Sequence, residues 1–197
     1  KHAEPFIEDG VKAMAADGIR EAVGIVLAPH YSVMSVGSYI KRAREAAEAE
    51  GVRMAFVESY HLHPKLIEAI AIRLRNALAR FGAPEEQSRV KVLFSAHSLP
   101  ERILSMGDPY VDQLLATSRA AAEAAGVKDW EFTWQSAGRT SEPWLGPDIL
   151  DTLDRLAREG VKAVLSAPIG FVSDHLEVLY DLDIEAKQFA AERGIRF

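Results

Sequence analysis

VKVLFSAHSLP, residues Val90 to Pro100, is the stretch that decides the fold. Val90, Val92, Leu93 and Phe94 form a short, nearly continuous apolar run. That is the pattern of a strand covered on both faces inside a parallel sheet. Pro100 has no backbone N–H to give to a ladder, so the strand must end before it. His97 therefore falls where the strand passes into its loop. In open α/β sheets ligands bind off the carboxyl ends of the strands, which makes His97 a candidate site residue. The same pattern also fits an ordinary histidine at a strand end.

Working outward, strands and helices alternate. Before this stretch, a helix is expected over Pro5–Asp17, with Phe6, Ile7, Val11 and Met14 at helical spacing, then a buried strand over Glu21–Ala28. A helix from about Val36 to Glu50, closed by Gly51, a strand over Val52–Ser59 and a helix over Pro64–Arg80 follow. FGAPEEQS, Phe81 to Ser88, gathers Gly, Pro and charge and marks a boundary. After it come a helix over Tyr110–Ala125, a strand over Glu131–Gln135, a helix over Pro147–Glu159, a strand over Val161–Ala167 and a helix over Ser173–Glu192. Ile195–Phe197 begins another strand. The pattern predicts an α/β fold of two Rossmann-like halves, residues 1–85 and 86–197, each a parallel sheet flanked by helices, with a cleft at the strand ends.

Composition narrows the function classes. Nearly half of the 197 residues are apolar, enough for a sizeable core, and the formal net charge is −6. Mild acidity without a basic run argues against nucleic acid as a partner. The absence of cysteine excludes disulfides, thiolate zinc sites and a cysteine-ligated iron–sulfur cluster within this chain, and it fits a reducing cytoplasm. No apolar run approaches the length of a membrane span.

In the last helix Glu177, Asp181 and Glu185 are four apart. In an α-helix each lies about 40° round from the one before, and a wider π-type turn would align them better. Alone, this spacing also describes a solvated acidic face near a helix start. Leu176, Val178, Leu179, Leu182 and Ile184 occupy the remaining surface, so the helix is expected to be largely buried, where carboxylates are costly. His175 is read as structural. His30 ends a strand and Tyr39 follows shortly after. His61 and His63 are read as surface-loop residues. Trp134 and Trp144 bracket a loop shaped by Gly138, Pro143, Gly146 and Pro147, either as rings lining a cleft or as packing residues.

Four blocks resemble the ferrochelatases: SAHSLP around His97, FVSDHLEVLYDLDIE from Phe171 to Glu185, LAPHYSVMSVGSY from Leu27 to Tyr39, and WQSAGRTSEPWLGPD from Trp134 to Asp148. They are long, in family order, and span nearly the whole chain. The resemblance implies insertion of ferrous iron into a porphyrin. His97 and Glu177 would be the catalytic pair facing each other across the ring. His97, Glu177, Asp181 and Glu185 would handle metal, and Tyr39, His30, Trp134 and His2 would contact the porphyrin. No organic cofactor is implied, Fe2+ is a substrate, and the outer acids suit Mg2+. The likeness is to soluble bacterial members, which favours coproporphyrin III over protoporphyrin IX and a cytoplasmic monomer. The chain opens on Lys1 and family members are longer, so it is expected to be a fragment lacking both ends. That keeps open a metal- or tetrapyrrole-binding module without turnover. A cobalt chelatase of the same fold is a further alternative. A serine hydrolase using Ser95 or Ser98 with His97 lacks the G-x-S-x-G elbow.

Overall fold

The computed structural model describes residues 4–197. They fall into two compact units: the residues up to Tyr60 with Asp108–Tyr110, and His61–Gly107 with Val111–Phe197. The expected division at 85/86 lies inside the second unit. The helix before it packs on that unit's sheet rather than on the first.

The first unit holds α1 (Ile7–Ala16), β1 (Glu21–Ile25), a π-turn (Val33–Gly37), α2 (Ser38–Glu50) and β2 (Arg53–Val57). Its strands pair in parallel, Glu21 opposite Arg53 through Ile25 opposite Val57. Val11, Ala47 and Val52 form its small core. Arg42 on α2 clamps Glu8 on α1 with two hydrogen bonds of 2.8 and 2.7 Å. Gly51 ends α2 at φ 66°, a left-handed conformation that favours glycine. The strand expected to be buried is exposed on one side: Val23 and Leu27 are each 71 % exposed. The unit's helical core covers the side of β1 that carries Ala22, and alternation sends Val23 and Ile25 the other way.

The second unit holds α3 (Pro64–Leu78), α4 (Pro84–Gln87), β3 (Lys91–His97), α5 (Arg102–Ser105), α6 (Tyr110–Ala125, its first residue in the other unit), β4 (Trp130–Gln135), α7 (Ile149–Arg158) and β5 (Val164–Ala167). The short α8 (Leu176–Val178), a π-helix (Leu179–Ala186) and α9 (Lys187–Glu192) complete it. Its sheet has order β4-β3-β5, all parallel. In α6 Leu114, Thr117, Ser118, Ala121 and Ala122 are buried, and in α7 Ile149, Thr152, Leu153 and Leu156. Both sets are the stripe an amphipathic helix lays on a sheet. Leu93, Leu153, Leu156, Val164, Leu182 and Ala186 meet in one cluster. Asp148 starts α7 by accepting from the Leu150 N–H at 2.8 Å, one residue inside the expected start. The strand expected from Ile195 appears as a single parallel bridge between Ala163 and Arg196. The Arg196 guanidinium donates to the carbonyls of Arg80 and Phe81, at 2.7 and 3.3 Å, and stacks 4.7 Å from the Phe81 ring.

The expectation of a largely buried last helix is corrected. Leu182 and Ala186 face the α7 core, while Leu176, Tyr180 and Ile184 are 80, 55 and 56 % exposed. The widened turn presents only one residue in four to that core. No helix among the described residues is long and apolar enough to cross a membrane.

Leu153 is fully buried at the centre of this core. Leu153→Ala should lower unfolding free energy by about 2–5 kcal/mol. Urea denaturation should show a lower midpoint at an unchanged slope, and an unmoved midpoint would place the core elsewhere.

Candidate functional site

The second unit brings two of the sequence candidates into direct contact. His97 is the last residue of β3, in register with Gln135 of β4. Its Nδ1 lies 2.8 Å from Glu177 Oε1, a direct contact and not the placement on opposite sides of a ring that the resemblance implied. The backbone behind His97 is tightly held. The Ser98 N–H donates to the Gln135 carbonyl and its Oγ to the Leu145 carbonyl, both at 2.8 Å, while Ser95 Oγ donates to the Gln135 side-chain carbonyl at 2.9 Å. A fully buried strand end of this kind gives the imidazole a fixed origin. At Gly170 an added Cβ would stand 2.7 Å from the Ala96 Cβ, so the loop after β5 presses on the strand one residue before His97.

Glu177 arrives on the short helix α8. His175 starts that helix with its Nδ1 accepting the Glu177 N–H at 3.3 Å, and its ring stacks on Phe171 at 5.7 Å. His175 thus aims Glu177 and does not join His97. The π-helix then carries Asp181 and Glu185. Glu177 and Asp181 are half-buried and Glu185 is exposed, so the three acids run from interior to solvent. The turn is of the wide type that the four-residue spacing favoured.

Ser136 is the residue the sequence reading missed. It sits just past β4 with φ 60°, the single left-handed non-glycine backbone among the described residues. Its hydroxyl donates to Asp181 and also favours the ionised form of Glu177, so it lies between the two acids. The available signal was its place after a strand end in register with His97, a relation that needs the pairing of β3 with β4. Strained backbone of this kind gathers at functional sites.

His30 and Tyr39 belong to the first unit, where His30 is 2 % exposed and Tyr39 half-buried. His2 lies outside the described residues. Trp134, expected at the porphyrin, is 5 % exposed and packs edge-on against Phe132 at 4.9 Å. Trp134 pairs with Ala96, one residue out of phase with His97, so alternation points it to the opposite face of the sheet from His97. Trp144 is the indole beside His97, its ring centroid 6.5 Å away and nearly perpendicular. His63 caps α3 by accepting from the Lys65 N–H. Among the described residues no three His, Asp or Glu side chains converge as a metal-holding group. The described donors are the His97–Glu177 pair, with Asp181 joined through Ser136.

Electrostatics separates the acids. Burial raises the Glu177 carboxyl, but hydrogen bonds from His97 and Ser136, with the charges of His97 and His175, more than offset this and hold it below its ordinary 4.5. Asp148 is pushed up, first by burial, against the Leu150 N–H, and further by the charges of Asp151, Glu185 and Asp181.

A carboxyl held low in the folded state stabilises the fold above its unfolded value, and the contribution disappears as pH falls through the lower folded value. The gap in urea midpoint between the natural protein and Glu177→Gln should therefore narrow as pH drops from about 6 toward about 3. A gap that widens in acid would show that the carboxyl is not held low.

The chain is similar to known proteins along its whole length. The family model described as Ferrochelatase matches residues 1–197. Among curated relatives, the "Ferrochelatase" of Herpetosiphon aurantiacus is 50 % identical over 198 residues, covering all of this chain and 65 % of that protein. The "Coproporphyrin III ferrochelatase" of Anoxybacillus flavithermus is 51 % identical over 199 residues, covering all of this chain and 63 % of that protein. The chain thus spans just under two thirds of the length of these relatives. The solved structure "SirB from Bacillus subtilis with Fe3+" superposes with a TM-score of 0.68 at 13 % identity, over 98 % of this chain and 67 % of that one. At that identity it shows the fold alone.

Proposed function

The chain belongs to the ferrochelatase family, and from that premise we propose that it carries the chemistry of inserting ferrous iron into a porphyrin. The observation that bears the reading is the 2.8 Å contact between His97 Nδ1 and Glu177 Oε1 at the carboxyl end of a central parallel strand.

Insertion exchanges two pyrrole N–H protons for one Fe2+, so something must accept protons while the ring is held still. With Nδ1–H donated to Glu177, His97 Nε2 takes a pyrrole proton, and the imidazolium that results is stabilised by the ionised Glu177 carboxylate. Burial works against that carboxylate, but the hydrogen bonds from His97 and Ser136 more than offset it and favour its ionised form. The second proton follows the same route once the partly exposed imidazolium has released the first to solvent, with Glu177 ionised throughout. Two protein donors are too few to cage a divalent ion, which suits a site that must give its metal away. Asp181, joined to this pair by Ser136, and the exposed Glu185 extend an oxygen path outward for arriving iron. The hydrated outer end suits Mg2+ with several waters.

The names of several relatives favour coproporphyrin III as the ring. Tyr39 in the first unit is the residue we assign to a porphyrin carboxylate, by the likeness of its block. A cytoplasmic monomer is the assembly this reading carries.

In the intact natural protein, His97→Ala should lower iron insertion roughly 100- to 10,000-fold, as loss of a general base does. Its thermal midpoint should fall only by the small contribution of the lost His97–Glu177 hydrogen bond, since His97 is a partly exposed strand end. Porphyrin absorbance under anaerobic conditions follows the reaction, and activity retained within a few-fold would remove His97 as proton acceptor. Glu177→Gln should reduce kcat, whereas Glu185→Gln should raise the apparent KM for iron and leave porphyrin binding unchanged. Identical behaviour of the two variants would make the stripe a structural acidic face.

A further inference from the structure

Gly138 lies in the loop after β4, and its backbone does not call for glycine, because φ is outside the left-handed region. What excludes a side chain is Trp144. A Cβ built on Gly138 would stand 2.3 Å from Trp144 Cζ2, 2.7 Å from Cη2 and 2.9 Å from Cε2. The indole therefore lies directly on the Gly138 backbone.

Sliding aside is not a cheap escape for this ring. The indole N–H donates to Thr140 Oγ1 at 2.8 Å, and the Thr140 N–H returns to the Gly138 carbonyl at 2.9 Å. The Trp144 backbone forms an antiparallel bridge with Pro100. On either side of it, the Leu145 N–H donates to the Leu99 carbonyl and the Glu101 N–H to the Pro143 carbonyl, each at 2.9 Å. The tryptophan is thus stitched to the residues that directly follow His97. Its ring meets the imidazole at 79°, the edge-to-face arrangement favoured at this separation. A ring displaced from Gly138 must move against His97 or lose its seat.

We propose that Gly138 is a positioning residue: by contributing no Cβ it seats the Trp144 indole, and the indole holds the His97 imidazole in the orientation that keeps Nδ1 on Glu177. Gly138 itself touches neither His97 nor iron. This deepens the iron-insertion reading and rests on it for its kinetic consequence, while the seating of the ring stands without turnover.

The test is a double-substitution cycle in the intact natural protein. Gly138→Ala should lower kcat about 10-fold or more while the KM for iron changes by less than about 2-fold, because orientation and not binding is lost. In a Trp144→Leu background the same substitution should change kcat by less than about 2-fold, because the ring that transmits it is gone. Equal losses in the two backgrounds, or no loss in the first, overturn the proposal. The second arm reads the 19F resonances of Trp130, Trp134 and Trp144 after 5-fluorotryptophan labelling. Gly138→Ala should move the Trp144 line and leave those of Trp130 and Trp134 in place; an unmoved Trp144 line overturns it. If the natural protein inserts no iron, the functional reading fails and the 19F arm alone decides the seating. If Gly138→Ala broadens all three lines through misfolding, Thr140→Val takes its place. Removing the indole's acceptor should then shift the Trp144 line in the same selective way, and a line that stays put overturns the proposal.

Discussion

The second unit depends on β3 having a parallel partner on each side. Parallel strands cannot be joined by a tight turn, so each pairing obliges the chain to return through a helix. α6 and α7 are those returns, and their buried stripes cover the sheet they create. Five consecutive β3 residues, Val92 to Ala96, are fully buried. Burying Leu93 or Phe94 is worth about 1.5–3 kcal/mol each, so sliding this strand by one residue would cost more than a domain can spare. The first residue to emerge from that constraint is His97. Its position is thus a by-product of packing that has nothing to do with chemistry, which is why a small, mobile-looking imidazole can be placed firmly.

Glu177 reaches the same point by the opposite means. It comes from a segment 80 residues later, with little core beneath it, and irregular backbone does the aiming. The π-helix brings Asp181 round toward the sheet, and Ser136 holds a left-handed conformation that costs about 1–3 kcal/mol in a non-glycine residue. The two irregularities meet through the Ser136–Asp181 hydrogen bond. A regular helix and an extended Ser136 would satisfy more backbone at lower cost, but would not set a hydroxyl between two half-buried carboxylates. His175 and its stack on Phe171 then hold the helix start so that Glu177 meets the imidazole.

Legibility in the sequence follows this division. β3 and the place of His97 could be read because an apolar run ending in proline admits few other structures. The acid spacing pointed to a wide turn, and the wide turn is there. Ser136 was not readable, because nothing local distinguishes a strained serine from any other loop residue. Trp144 was hidden for a related reason: only the folded loop after β4 brings its ring, ten residues past Trp134, beside His97. The exposed Val23 and Leu27 show the limit of reading an apolar run as a buried strand. The boundary at 85/86 followed composition, whereas α3 is assigned by what it packs against.

The Arg196 latch on the turn that follows α3 sets an order of events when the chain is made. The carbonyls of Arg80 and Phe81 receive their guanidinium donor from a residue 116 and 115 positions downstream. At about 5–20 residues per second, this turn leaves the ribosome of the order of ten seconds before its donor exists. Over that interval β3, α6, β4, α7 and β5 can all emerge and pair before Arg196 follows them. A ribosome stalled just before Arg196 would hold the β4-β3-β5 sheet with the Arg80 and Phe81 carbonyls still lacking this donor.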